Sequence, residues 1–498
     1  MTQYNQYIEL TQKAADFNNA AAVLGWDQEV YMPPKGFAFR GRQLATLSAQ
    51  AHEMMTSEAY GALLKALLES SSLKEEAIRN VQISWEDYEK NKRIPVSFVS
   101  QLTTQTTQCF GAWMEARQKN DYSLFAPQLD KMIALKRQQA DYYGYQDHPY
   151  DALLDDYEKG ATVSQLDVVF QQVQKQLSPL VASIAAKPII DDHCFHQHYD
   201  RQKQFDFSMQ VLRRMGYDFD AGRQDFSEHP FTTSFSPQDV RITTRVDEND
   251  FSSLLWSSIH EGGHALYEQG LPTEQYGLPL GMPASLSIHE SQSRLWENGI
   301  GRSMDFWSFF YPQLQALFPD SLQDVSLEQF YKSMNRVSPS LIRTEADELT
   351  YHFHVMIRYE IEKALLSNEL QAKDLSEVWN AYYQRYLGVT PTDDKSGVLQ
   401  DVHWSHGSFG YFPTYSLGSI YAAQFLATAK ETIPTITTDM AKGDFTQLLR
   451  WLRTNIHQHG RRYRSEALCQ KVTGKPLDFN VFLNYAQEKY VAIYGLKQ

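Results

Sequence analysis

Apolar residues recur at helical spacing along most of this 498-residue chain, and this periodicity limits the fold more than any other feature. In TSEAYGALLKALLESS, the apolar residues that share one helical face are Tyr60, Leu63, Leu64, Leu67 and Leu68. The stretch VSQLDVVFQQVQKQL repeats the pattern, and we expect Ser164 to cap that helix. Repeated βαβ alternation is absent, so the sequence predicts a mostly α fold.

One segment departs from the helical pattern. Residues 229–245, HPFTTSFSPQDVRITTR, alternate around Val240, Ile242 and Thr244, which favours a short strand or hairpin. We therefore expect one small sheet, whose edge would suit an extended peptide. Because no linker is evident, we predict a single domain over 1–498 with two lobes around a groove. A helical part would cover roughly 1–225 and a catalytic part roughly 226–498.

Composition limits the location and the partners of the chain. The formal net charge of −14 disfavours nucleic acid and anionic membranes as partners. No run of about 18 apolar residues indicates a membrane span, and the N-terminal segment lacks the pattern of a secretory signal. Three widely spaced cysteines, Cys109, Cys194 and Cys469, predict neither a disulfide framework nor a cysteine-based zinc site. We expect a cytoplasmic protein.

The segment DFSSLLWSSIHEGGHALYEQGLP carries the strongest chemical signal. We expect a helix that begins at Asp250 or Ser252 and ends near Gly270. His260 and His264 then project from one face, as two zinc ligands require. Glu261 is the expected general base, which takes a proton from zinc-bound water and passes it to the leaving amine.

Two glycines inside this helix, Gly262 and Gly263, each cost about 1 kcal/mol relative to alanine. Close approach of a substrate backbone or of a sheet edge would explain them. The alternative to a metal site is a chance H-E-x-x-H on a helix surface, but the helix boundaries and the glycines favour the metal site.

A third ligand is required. The metzincin pattern would place a ligand at position 270, which is glycine here, so that class is excluded. A glutamate on a following helix is the common alternative, and the candidates are Glu268, Glu274, Glu290 and Glu297. His289 would not easily share a metal with Glu290, and it is expected to support the site or to pack against it.

Several motifs together resemble a known family. HEGGH is followed by HESQSR, with Glu290 26 residues after His264, and this pair resembles the carboxypeptidase Taq family of thermostable-type metallocarboxypeptidases. Further stretches similar to the family are HPF (229–231), DVRIT (239–243), IRTEADELTY (342–351), GVLQDVHW (397–404), GYFPTYSLGSIYAAQ (410–424), LGWDQEVYMPPKG (24–36) and PYDALLDDYEKG (149–160). The resemblance extends over most of the chain.

The resemblance implies a zinc carboxypeptidase of broad specificity that releases single residues from peptides with a free C-terminus. It also implies an almost entirely helical peptidase fold with a deep substrate groove, and a homodimer. The implied metal ligands are His260, His264 and Glu290, and the implied general base is Glu261. Zn²⁺ is the expected ion, and Co²⁺ suits the same donors.

Cleavage at a C-terminus needs a cation for the terminal carboxylate, and a guanidinium binds carboxylates bidentately. Arg241 and Arg343 are the candidates, and the alternative for either arginine is a structural ion pair, for instance with Asp239 or Asp347. The loop DVHWSHGSFGYFPTYSLG resembles a histidine-then-tyrosine loop of thimet oligopeptidase.

That similarity favours His403 and Tyr415 as catalytic groups that stabilise the oxyanion. Tyr411, in the same loop, is a weaker candidate for substrate binding. The cluster of His193, His196 and His198 is expected to be a surface loop and not a second metal site.

Two other functions remain open. An oligopeptidase that cuts internal bonds would need no carboxylate-binding arginine. A peptide-binding protein with a structural metal would usually use four protein ligands and no adjacent general base.

Overall fold

The computed structural model describes residues 2–496, and helices dominate it. The α-helices are α1 Gln3–Val30, α2 Phe37–Thr56, α3 Glu58–Leu68, α4 Glu75–Asn91, α5 Val96–Lys119, α6 Ala126–Tyr143, α7 Pro149–Leu154, α8 Val163–Ala185, α9 Arg201–Met215, α10 Phe251–Glu268, α11 Leu286–Arg294, α12 Met304–Leu317, α13 Pro319–Leu322, α14 Leu327–Met334, α15 Tyr351–Leu366, α16 Leu375–Leu387, α17 Pro413–Thr432, α18 Ile436–Met440, α19 Thr446–Asn455, α20 Ser465–Thr473 and α21 Phe479–Tyr494. The strands are β1 Gly222–Phe226, β2 Thr232–Ser236 and β3 Asp239–Thr244. The predicted fold class, mostly α with one small sheet, is confirmed.

The two helices predicted from apolar periodicity are present as α3 and α8. The Ser57 side chain accepts a hydrogen bond from the Tyr60 amide and caps α3, whose apolar face is buried. The cap predicted for α8 was wrong by two residues. Thr162, not Ser164, is the N-cap, and it forms a reciprocal capping box with Gln165.

The sheet has the strand order β1-β3-β2. The predicted hairpin corresponds to β2 and β3, which pair antiparallel, with Val240 and Ile242 fully buried. β1 pairs parallel to β3 and was not predicted, because its sequence GRQDF is too polar to show alternation. Helix α10 packs on β2 and β3, so the sheet lies beside the predicted metal-binding helix.

The chain folds into two compact units. The first unit comprises 1–92, 191–334 and 421–477, and it contains the sheet, α10 and α11. The second comprises 93–190, 335–420 and 478–498, and it contains α15 and the segment 403–420. Each unit combines three segments, so neither coincides with 1–225 or 226–498. The single-domain interpretation stays a prediction.

No helix between residues 2 and 496 is both long enough and apolar enough to span a membrane.

Candidate metal centre

Helix α10 presents the H-E-x-x-H residues from a fixed frame. The Asp250 side chain accepts a hydrogen bond from the Ser252 amide and caps the helix, as predicted. Leu254, Leu255 and Ile259 are buried on the apolar side and anchor it. Because His260 and His264 are one turn apart, their rings lie together with centroids 4.9 Å apart.

Helix α11 brings Glu290 to these two histidines. Its Oε2 lies 3.5 Å from His260 Nε2 and 3.4 Å from His264 Nε2. Among the described residues, these are the only three histidine, cysteine or acidic side chains whose ligand atoms all lie within 4.8 Å of one another. Two imidazole nitrogens and one carboxylate oxygen at this separation fit a zinc ion.

The glycines in α10 allow two other helices to approach closely. A Cβ on Gly263 would lie 2.7 Å from Gln292 O and from Ser293 Cα, both in the α11 backbone. A Cβ on Gly262 would overlap Leu212 of α9. Both glycines therefore lie against neighbouring helices and not against the sheet edge that the sequence suggested. Gly263 instead permits the contact that carries Glu290 to the histidines.

Two of the other candidate glutamates contact histidines of the site, and the third does not. Glu297 Oε2 lies 2.8 Å from His260 Nδ1. Glu268 Oε1 lies 2.7 Å from His289 Nε2, and His289 Nδ1 lies 2.6 Å from His264 Nδ1. Both histidines of α10 thus have a partner at Nδ1, which fixes each ring with Nε2 toward Glu290. Glu274 is exposed on a short 3₁₀ turn.

The carboxylate of Glu261 is held by the sheet. The Thr232 hydroxyl on β2 donates to Glu261 Oε2 at 2.6 Å. Burial raises the pKa of Glu261, while His260 and the Thr232 hydrogen bond oppose that rise. A buried carboxylate with a raised pKa and one fixed oxygen is suited to accept and return a proton.

The surroundings of Glu290 and His264 favour the protonation states that a metal ligand needs, an ionised carboxylate and a neutral imidazole. Burial would raise the pKa of Glu290, but Arg294 and His260 hold that pKa well below its usual range. Burial lowers the pKa of His264 to about 3. Burial also acts to lower the pKa of His260, but Glu290 and Glu297 outweigh it and raise that pKa. The raised pKa of His260 shows that the carboxylates of Glu290 and Glu297 favour a positive charge at this position.

Arg241 lies on β3 in the first unit. Its Nε and NH2 donate to the two carboxylate oxygens of Asp239 at 2.8 and 2.9 Å, the ion pair anticipated as the alternative to substrate binding. Its guanidinium also lies over the Trp26 ring, 4.4 Å from the centroid. The Arg241 side chain is 20% exposed, so these contacts orient the arginine but do not bury it completely.

Arg343 lies in the second unit and is only 5% exposed. It pairs with Asp401, with 3.0 Å between Nε and Oδ1, and donates to the Tyr351 hydroxyl at 2.9 Å. The anticipated partner, Asp347, was therefore wrong. Arg358 also pairs with Asp401, at 2.6 Å, so two buried guanidinium groups share one carboxylate.

The loop candidates lie together within the second unit. His403 Nε2 lies 3.2 Å from the Tyr415 hydroxyl, and the Arg343 guanidinium lies 4.9 Å from the Tyr415 ring centroid. Tyr411 and Phe412 pack against the His403 ring. Burial, with a smaller effect of Arg343, lowers the pKa of His403 to about 3, so this imidazole is neutral at pH 7.

The histidine cluster in the first unit is exposed, as expected. His193 contacts Gln197, and His196 lies 3.7 Å from Asp192. These three histidines do not belong to the group of three ligand atoms found among the described residues.

Sequence reasoning missed three residues that hold the candidate groups. Thr232 binds Glu261, Arg294 binds Glu290, and Asp401 binds Arg343. A signal for Arg294 existed, because Glu290, Arg294 and Glu297 are spaced four and three residues apart and share a helical face. Thr232 and Asp401 reach their partners through tertiary contacts that no local spacing indicates.

Comparison with known proteins gives a consistent result. The family model described as carboxypeptidase Taq (M32) metallopeptidase matches residues 6–490. The chain is 40% identical to "Thermostable carboxypeptidase 1" of Thermus thermophilus over 511 residues, covering 99% of each chain. The crystal structure of the M32 carboxypeptidase from Deinococcus radiodurans R1 is similar with a TM-score of 0.97 and 40% identity, covering 100% of both chains. A solved structure described as "The Structure of CHT" has a TM-score of 0.97 and 57% identity, covering 99% of this chain and 100% of that chain.

Proposed function

Because the chain belongs to the carboxypeptidase Taq (M32) family of metallopeptidases, we propose that it is a zinc enzyme that releases single residues from peptide C-termini. It is a metallocarboxypeptidase, a peptide hydrolase. The finer proposal comprises the zinc ion, broad side-chain specificity and a mechanism assisted by Glu261.

The observation that carries the proposal is the group of His260, His264 and Glu290 beside Glu261. The group offers three donors, whereas structural zinc sites usually have four. Three donors leave a coordination position for a reactant, and this supports catalysis over a structural role. A zinc ion held there would polarise the scissile carbonyl and make a water molecule more acidic.

Glu261 has the proton-transfer role in this mechanism. Its Oε2 accepts the hydrogen bond from Thr232, and we assign its carboxylate to take a proton from the attacking water. The same carboxylate then returns the proton to the leaving amine. Burial, which raises the pKa of Glu261, reduces the cost of holding that proton.

The remaining roles are assigned to the loop residues and the two arginines. We assign the oxyanion contact to Tyr415, with His403 as its hydrogen-bond partner, and a substrate contact to Tyr411. Arg241 and Arg343 remain the candidates for the terminal carboxylate. Three free cysteines, Cys109, Cys194 and Cys469, support a cytoplasmic location. We retain a homodimer, which the family resemblance implies.

The test is a mass-spectrometric time course on a mixed-sequence peptide of ~10 residues, as the free acid and as the C-terminal amide. Each is incubated with zinc-loaded enzyme, with and without a chelator. A ladder that shortens from the C-terminus, and that amidation and chelation both abolish, is the expected result. Internal fragments from both peptides would indicate an oligopeptidase. Absence of cleavage by zinc- and cobalt-loaded protein would favour a binding protein.

A further inference from the structure

Arg294 contacts two carboxylates of the metal centre at once. Its Nε donates to Glu290 Oε1 at 2.7 Å, and its NH1 donates to Glu297 Oε2 at 3.2 Å. Arg294 ends α11, and Glu297 lies in the π-helical turn Leu295–Gly301 that follows. The planar guanidinium can hold both carboxylates in fixed directions, as an ammonium group cannot.

The two oxygens of Glu290 consequently have different surroundings. Oε1 is bound by Arg294, whereas Oε2 faces His260 Nε2 and His264 Nε2 and accepts a hydrogen bond from Ser293 Oγ at 2.9 Å. The side chain of Glu290 is only 6% exposed, so little room remains for a different rotamer.

Arg294 is also connected to the first histidine. Glu297 Oε2, which accepts from Arg294, lies 2.8 Å from His260 Nδ1. The other oxygen of Glu297, Oε1, accepts from Arg302 at 3.2 Å. Thus Arg294 contacts Glu290 directly and reaches the His260 ring through Glu297, which Arg302 also holds.

We propose that Arg294 is a positioning residue that makes Glu290 bind the metal ion through Oε2 alone. The proposal rests on the ligand set proposed above. By occupying Oε1, Arg294 prevents the second oxygen from turning toward the ion and preserves a coordination position for substrate. A merely structural ion pair would add stability without affecting how the ion is bound.

The test uses cobalt-substituted enzyme, because the visible absorption of Co²⁺ reports the number of ligands. We expect Arg294→Met to lose visible absorption of the bound Co²⁺, because the freed carboxylate oxygen adds a ligand and a higher ligand number weakens these bands. Arg294→Lys keeps the positive charge but lacks the planar guanidinium group, and it should show the same spectral change. This second variant keeps the test available if Arg294→Met fails to fold.

Arg461→Lys is the matched control, because the Arg461 guanidinium binds both carboxylate oxygens of Asp87, at 2.9 and 3.1 Å, and Asp87 is not among the candidate ligands or their partners. It should leave the cobalt spectrum unchanged. A wild-type cobalt spectrum in each Arg294 variant that folds would overturn the proposal. Glu290→Ala tests the ligand set separately, since cobalt binding that survives this change at wild-type affinity would refute Glu290 as a ligand.

Discussion

The Thr232 hydroxyl on β2 donates a hydrogen bond to the Oε2 of Glu261 on α10, with 2.6 Å between the two oxygens. The same hydroxyl lies 3.0 Å from the Glu261 carbonyl oxygen. The sheet therefore does more than line the centre, because it fixes one oxygen of the proposed general base.

Replacement of Thr232 by valine tests this relationship. The change removes the hydroxyl and keeps the branched shape, so Glu261 loses a hydrogen bond to a charged group worth about 1.5 kcal/mol. We expect kcat to fall about tenfold, with KM and bound metal nearly unchanged. Thr232→Ser retains the hydroxyl and should retain most of the activity. Equal kcat values for the valine variant and the wild type would exclude a role for this bond.

Glu261→Gln separates proton transfer from metal binding. Glutamine has nearly the same shape but cannot accept the proton, and general base catalysis typically contributes 10²–10⁴-fold. We expect kcat to fall at least about 100-fold, while zinc content by atomic absorption stays at the wild-type level because Glu261 is outside the ligand group. His264→Ala is the comparison, and it should lose metal and activity together. Loss of zinc from the glutamine variant would instead make Glu261 part of the ligand set.

Arg241 and Arg223 form a matched pair for testing carboxylate recognition. They lie opposite each other on β3 and β1, both contact the Trp26 ring, and each pairs with an aspartate on its own strand. If Arg241 binds the terminal carboxylate, Arg241→Gln should lower kcat/KM for a free-acid peptide about 30-fold, corresponding to about 2 kcal/mol.

The control Arg223→Gln should leave kcat/KM unchanged. Neither variant should alter the free energy of unfolding by more than about 1 kcal/mol, because partly exposed ion pairs contribute little. A wild-type rate for Arg241→Gln would remove Arg241 from this role and leave Arg343 as the candidate.

The candidate metal-binding helix was predictable because its two histidines are close in sequence. Asp250, His260 and His264 are related by helical geometry, which spacing alone encodes. Glu290 was not separable from Glu268, Glu274 and Glu297 by spacing, because the choice depends on how α11 packs on α10. That packing is determined by a backbone contact at Gly263, and only the family resemblance indicated it beforehand.

The partners of the arginines were less predictable. Asp239 is two residues from Arg241, so its ion pair was anticipated, whereas Asp401 is 58 positions from Arg343. The strand β1 was missed because its side chains are mostly polar. Its Gln224 is buried and donates a hydrogen bond to the Ser258 hydroxyl on α10, a tertiary contact that local sequence does not indicate.

Glu362 in α15 should make stability depend on pH. Its carboxylate is fully buried and accepts hydrogen bonds from the Tyr150 hydroxyl, from Trp404 Nε1 at 2.8 Å and from the Gly410 amide at 2.8 Å. Burial raises the pKa of Glu362 from 4.5 to about 7. Between these values the folded chain keeps a proton that the unfolded chain releases.

The contribution of Glu362 to stability is therefore greatest below about pH 4.5 and declines as pH rises through 7, by on the order of 3 kcal/mol in total. In Glu362→Gln this group cannot ionise, so urea unfolding between pH 5 and 7 should show a smaller decline of the unfolding free energy than the wild type. The exposed Glu377→Gln is the control and should keep the wild-type slope. Parallel curves for all three proteins would refute the assignment.

Gly263→Ala should damage the metal centre through packing alone. The added Cβ would lie 2.7 Å from Gln292 O and Ser293 Cα, and these are backbone atoms that cannot rotate away. Helix α11 must move, and overpacking of this kind costs about 1–3 kcal/mol. Because α11 carries Glu290, we expect the zinc dissociation constant to rise together with the loss of stability.

Gly111→Ala provides the matched control, since a Cβ there has no heavy atom within 4 Å and the residue lies inside α5. Alanine is the better helix former by about 1 kcal/mol, so this variant should be slightly more stable and should bind zinc normally. The two variants make the same chemical change with opposite expected signs. If thermal unfolding and zinc titration gave Gly263→Ala the behaviour of Gly111→Ala, then the close approach of α11 to α10 would not be what holds Glu290 against the two histidines.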